Sequence, residues 1–114
     1  MEELNQNKNI HIKFNNLLLD FLKDLSNTFP EYENDYTKTV SAIKDNIDNS
    51  SYSKKYTEEF KKFMVDIANK RSQVFITNKI DLIDNVDFTK VWSCEDISIQ
   101  TKNAIWKYIH SLYL

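Results

Sequence analysis

Not one of the 114 residues is glycine, and Pro30 is the single proline. Ordinary usage would supply roughly 8 glycines in a chain of this length. Without them few positions reach φ > 0 at low cost, so two-residue hairpins and glycine-rich phosphate loops are disfavoured. Asparagine tolerates the left-handed region, and 13 asparagines are spread along the chain. Helix ends are therefore expected on Asn, Ser and Asp. The punctuation argues for helices and against a sheet.

The apolar residues repeat accordingly. Phe14, Leu17, Leu18, Phe21, Leu22 and Leu25 follow the i, i+3, i+4, i+7 spacing of one helical face, in a helix from about Asn9 to Asn27. Asn15, Asn16, Asp20, Lys23 and Asp24 fall largely on the other side. Pro30 disfavours helical geometry at Phe29 and closes the element, with Phe29 folding back on the core. Tyr36, Val40, Ile43 and Ile47 make a narrow stripe, predicting a helix over 34–47 with acidic residues in its opening turn. Residues 48–51 read as a loop. Tyr56, Phe60, Phe63, Met64 and Ile67 predict a third helix to about Lys70, capped by Ser53 and supported by a Glu58–Lys62 pair. From Arg71 to Trp92 the period breaks, which reads as short helical turns, with a lone strand at Val74–Thr77 as the less favoured alternative. A final helix follows Ser98 as N-cap.

The fold class expected is all-α, a compact bundle of about four helices with short helical turns before the C-terminal one. A hydrophobic fraction of 41% and an aromatic fraction of 13% supply apolar surface for one core, so one domain over 1–114 is expected, with 1–8 as a disordered N-terminal tail.

Charge narrows the classes of function. The formal net charge is −2, which gives the whole protein no pull toward nucleic acid or anionic membrane. The distribution is uneven: residues 1–53 carry 5 basic and 9 acidic groups, and residues 54–80 carry 7 and 3. Lone Cys94 makes no internal disulfide, which suits a reducing compartment. The polar N-terminus is unlike a targeting peptide, and no apolar run approaches the ~20 residues of a bilayer span. The reading is neither secreted nor transmembrane: cytosolic, nuclear or packaged inside a particle.

Tests for chemistry return little. His11 and His110 lie near opposite ends and Cys94 has no CxxC partner, so no metal set is legible. Ser93-Cys94-Glu95-Asp96 has none of the flanking features of an activated nucleophile. The adjacent carboxylates Glu58-Glu59 and Glu95-Asp96 do not share a helix face and read as solvated charge. Both common phosphate-loop motifs require glycine. No catalytic residue and no cofactor is assigned, and the chain is read as a non-enzyme.

Two surfaces are candidates for binding. Trp106, Tyr108 and Tyr113 are the candidate protein interface, since aromatics are enriched at hot spots, although filling the core or locking the C-terminal helix is the favoured reading for Trp106. Lys54, Lys55, Lys61, Lys62, Lys70 and Arg71 are the candidate nucleic-acid patch. Tyr56, Phe60 and Phe63 interleave with it at core spacing, which withdraws them from base stacking.

Phe14-Asn15, Phe21, Leu25, Phe29-Pro30-Glu31 near the start resemble the FN…F…L…FPE pattern of a family of short uncharacterised helical proteins of nucleocytoplasmic large DNA viruses. Ile67-Ala68-Asn69-Lys70 with Phe75, the position of Trp92, and the closing Ala104-Ile105-Trp106-Lys107-Tyr108-Ile109 to Leu112-Tyr113-Leu114 extend the resemblance. Arg71-Ser72-Gln73-Val74 depart from it, where those proteins carry an acidic stretch and a second aromatic. The resemblance implies a viral origin and no mechanism. The expected function is a viral protein–protein interaction module or virion component, with a viral or host protein as partner and self-association compatible. The alternative is a nucleic-acid-associated packaging protein using the basic helix 54–71.

Overall fold

The missing glycines have their predicted consequence, since all regular structure among the described residues is helical. The computed structural model describes residues 2–94 and 97–113, with side chains from residue 9 onward. Glu95, Asp96 and Leu114, which the sequence reading touched, lie outside the described residues. The chain divides into two compact units, Met1–Lys54 and Lys55–Leu114. Whole-chain composition cannot resolve such a division, because it counts apolar residues without saying which ones meet.

The first unit is built on α1 (Glu2–Thr28) and α2 (Glu33–Asp45), which pack together and are joined by a 3₁₀ turn at Pro30–Tyr32. α1 starts at Glu2, ahead of the sequence-based start near Asn9, and so includes most of the segment read as a tail. Leu18, Phe21, Leu22 and Leu25 are buried, as the spacing predicts. Phe29 closes the helix by donating its N–H to the Leu25 carbonyl at 2.7 Å, and its ring is buried. Tyr36, Thr39 and Ile43 are the buried face of α2, while Val40 and Ile47 are half-buried.

One residue of α1 departs from its expected side. Asn15, read with the polar residues, is fully buried. It stands in the same 3–4 seam as Leu18, Leu22 and Leu25. Its amide donates to the carbonyls of Ile47 at 2.7 Å and Asn49 at 2.9 Å. The loop after α2 is thereby tied to the helix by carbonyls that burial would otherwise leave unpaired. Asn15 Oδ1 has no partner in return.

The second unit contains most of α3 (Ser51–Lys62), then α4 (Met64–Ala68), α5 (Gln73–Thr77), α6 (Phe88–Trp92) and α7 (Ile99–Tyr113). The expected third helix is thus two, broken at Phe63, which has φ −123° and ψ 23°. It begins at Ser51, so Ser53 sits inside the first turn and does not cap it. Tyr56, Phe60 and Ile67 are buried, while Met64, assigned to the same face, is 37% exposed. Lys62 pairs with Glu59 at 3.1 Å and not with Glu58. The broken-period segment forms short helices as predicted, with α5 on Val74–Thr77 and packed against α6. Asp87 caps α6 through the N–H groups of Thr89 and Lys90, and Ser98 caps α7 through that of Thr101 at 3.1 Å.

The core of this unit is aromatic. The ring of Phe75 lies 5.2 Å from Phe88, 5.9 Å from Trp92 and 5.8 Å from Trp106, and the two indoles are 4.8 Å apart. Phe75, Phe88, Trp92 and Trp106 are all buried. These separations are those of favourable aromatic pairs. Two polar contacts add direction: the buried Tyr56 hydroxyl donates to the Ile109 carbonyl, and Thr89 Oγ1 donates to the Phe75 carbonyl at 2.6 Å.

The positive-φ positions test the asparagine argument. Asn85 has φ 65°, as expected of asparagine, but among the described residues Lys70 shares the left-handed region at φ 57°. Lys70 ends α4 in a Schellman arrangement, where its N–H donates to Ile67 and the Arg71 N–H donates to Asp66. Glycine is the usual residue there. A side chain with a Cβ costs about 1 kcal/mol in that conformation, a strain the six-to-one hydrogen bond holds in place.

Candidate interaction surface

The titratable groups do not converge. Among the described residues no three of His, Cys, Asp and Glu are grouped to hold a metal ion. His11 and His110 are occupied separately. His110 Nε2 lies 2.9 Å from the Ile67 carbonyl, which only accepts, so that nitrogen carries the proton. It thereby ties α7 to the end of α4. Cys94 is half-buried.

One pairing was missed by sequence reasoning: His11 Nδ1 lies 2.9 Å from Ser53 Oγ. The polarity is wrong for a nucleophile and base. Ser53 Oγ donates its single proton to the Ser50 carbonyl at 3.0 Å, so it accepts from His11. A base must instead accept the hydroxyl proton. No sequence signal marks the pair, which is 42 residues apart. Its role is to pin the start of α3 to α1.

The candidate interface on α7 is largely internal. Trp106 is 4% exposed and belongs to the aromatic core, so it is corrected from interface to core. Tyr113 is half-buried and stacks on Phe60 with centroids 4.1 Å apart and planes 13° from parallel. Tyr108 is half-buried.

The basic patch is divided by ion pairing. Lys55 bridges Asp81 at 3.0 Å and also reaches Asp84. Partial burial lowers its pKa, but the hydrogen bonds and charge of Asp84 and Asp81 outweigh that and hold it above the ordinary lysine value. Lys62 pairs with Glu59, and Arg71 with Asp66 at 3.2 Å. Lys54, Lys61 and Lys70 are exposed and form no ion pair among the described residues. Tyr56 and Phe60 are buried and Phe63 half-buried, so the interleaved aromatics are not laid out as a stacking platform.

What the surface does present is aliphatic. Val65 is 68% exposed, beside Met64 on α4. Ile76 on α5, Ile99 at the start of α7 and Ile10 on α1 are also exposed. On the inward side Tyr56, Phe60 and Ile67 are buried and Phe63 is half-buried, while Glu58, Lys61, Val65 and Ala68 are exposed. Sequence reasoning missed Val65 because it flanks Met64 and Ile67, which claim the apolar period. Among the described residues no helix is long and apolar enough to cross a membrane. Compared with protein-family models, curated proteins and solved structures, the chain matches none.

Proposed function

We propose that this chain is a non-enzymatic protein–protein interaction module or virion component of a large DNA virus. One observation carries the interaction reading: Val65 and Met64 stand exposed side by side on α4, with exposed Glu58 and Lys61 on the helix before it. Scattered apolar residues are ordinary on a protein surface. An apolar pair inside a charged rim is the arrangement of an interface centre. The viral setting comes from the resemblance of the opening and closing tracts. The dispersed histidines and carboxylates, and the reversed polarity of the His11–Ser53 contact, favour binding over catalysis.

The test is capture of tagged protein from infected cells, with and without nuclease, read by mass spectrometry. Partners that persist through nuclease and salt support the reading. A protein that emerges without any such partner counts against it. The second reading, nucleic-acid packaging, is favoured by the exposed lysines outside ion pairs. It predicts binding that weakens steeply with salt, and the absence of any DNA shift at low salt would remove it.

A further inference from the structure

The basic residues differ in the backbone that carries them. Among the described residues only Lys70, Arg71 and Lys79 stand outside helices. Lys79 directly precedes buried Ile80, and the next residue, Asp81, is held by Lys55. Lys70-Arg71 is instead a basic pair in an open turn between α4 and α5. Buried Ile67 and Val74 anchor that turn, and of the residues between them Ser72 is half-buried and the others are exposed. Both flanking helices are five residues long, too short to resist opening by themselves. The turn is held by the Arg71 N–H on the Asp66 carbonyl at 2.9 Å and the Val74 N–H on the Arg71 carbonyl at 3.1 Å. The Arg71–Asp66 ion pair adds little, being exposed on both sides. Opening also releases Lys70 from φ 57°, so backbone strain favours it.

We propose that this turn is a processing site, its Arg71–Ser72 bond hydrolysed by an endoprotease whose acidic specificity pocket takes Arg71. Exposed polar turns are where folded chains are nicked, and Arg71 is the single arginine of the sequence. Its side chain is 62% exposed, so a pocket reaches the guanidinium once the Asp66 pair parts. Water adds hydroxyl to the Arg71 carbonyl carbon and a proton to the Ser72 nitrogen as the C–N bond between them breaks. The cut does not release the pieces. Tyr56 donates to the Ile109 carbonyl, Phe60 stacks on Tyr113, and His110 donates to the Ile67 carbonyl. Each of these contacts joins a residue before the cut to one after it. The product is a nicked, two-chain protein with a new carboxylate at Arg71 and a new amine at Ser72. The proposal goes beyond the interaction-module reading and does not depend on it.

The experiment treats the folded full chain with a trace of trypsin and follows the fragments by mass spectrometry. The first cut is expected between Arg71 and Ser72, ahead of Lys79 and of the lysines inside helices. Fragments 1–71 and 72–114 should co-elute in size exclusion, with tryptophan emission close to that of the intact chain. Lys70→Asn keeps Arg71 and relaxes the left-handed position, so it should be cut several-fold more slowly, in step with the population of the opened turn. The double variant Lys70→Asn with Arg71→Gln should lose the early cut. Both positions are exposed, so far-UV circular dichroism should be unchanged. A first cut at Lys79 or within a helix, or fragments that separate and unfold, overturns the proposal. So does a Lys70→Asn chain that is cut as fast as wild type. In cells that produce the protein, mass spectrometry of chain ends should find Arg71 as a C-terminus and Ser72 as an N-terminus. A chain that stays intact there overturns the processing role and leaves the module reading untouched.

Discussion

The two units solve one problem with different materials. In Met1–Lys54 two long helices bury a regular aliphatic and phenylalanine seam, and a single amide at Asn15 fastens the loop that follows them. In Lys55–Leu114 the helices between α3 and α7 are only five residues each. Such helices have no intrinsic stability in water, and the cluster of Phe75, Phe88, Trp92 and Trp106 holds them in place. Long periodic segments can thus rely on many small contacts, whereas short ones depend on a few large rings. Mutational cost should accordingly be concentrated in the second unit and spread out in the first.

The largest test of that contrast is deletion of the central ring. Phe75→Ala should cost about 4 kcal/mol and Leu22→Ala about 3 kcal/mol, within the ranges for such truncations. Urea titration reads both. Trp92 and Trp106 both lie in the second unit, so their fluorescence reports it directly. A milder effect at Phe75 than at Leu22 would break the comparison.

Next comes the buried amide of the first unit. Asn15→Ala strands two carbonyls and should cost about 2 kcal/mol, the scale for buried groups left unpaired. Amide hydrogen exchange of residues 46–50 should quicken with it. If stability hardly changes, the loop is held by something other than the amide.

Tyr56 supplies a smaller effect and a pH signature. Tyr56→Phe removes its bond to Ile109 and should cost about 1 kcal/mol near neutral pH. Burial pushes the Tyr56 phenol up. The unfolded chain therefore ionises first, near its ordinary value of about 10, and the stabilisation present below that pH is lost as pH rises. Lys55, also raised, acts in the same direction through Asp84 and Asp81. Thermal melts from about pH 9 to pH 11 should fall less steeply for Tyr56→Phe than for wild type. Parallel curves would show that the phenol ionises freely in the folded protein.

The smallest effect has the opposite sign. Lys70→Gly should stabilise by about 0.5–1 kcal/mol, net of the added freedom of the unfolded chain. It should raise the melting temperature by a few degrees, about the shift for a domain of this size. A loss of stability would mean that the Lys70 side chain contributes contacts worth more than its backbone strain.

Composition and period alone determined that this protein is helical, that Pro30 ends the first helix, that Ser98 caps the last, and that the middle segment is short helices, but not that the first helix reaches back to Glu2. Those features are local, set by backbone entropy, capping and the 3.6-residue repeat. Tertiary structure decided the rest. Asn15 is buried because loop carbonyls 32 and 34 residues away need its amide. Trp106 is core because Phe75 and Trp92 close over it. Met64, which the period places on the inner face, is instead exposed where the helix breaks at Phe63. Which neighbour satisfies a polar group, or covers an apolar one, is a property of packing between distant segments, and no local spacing encodes it.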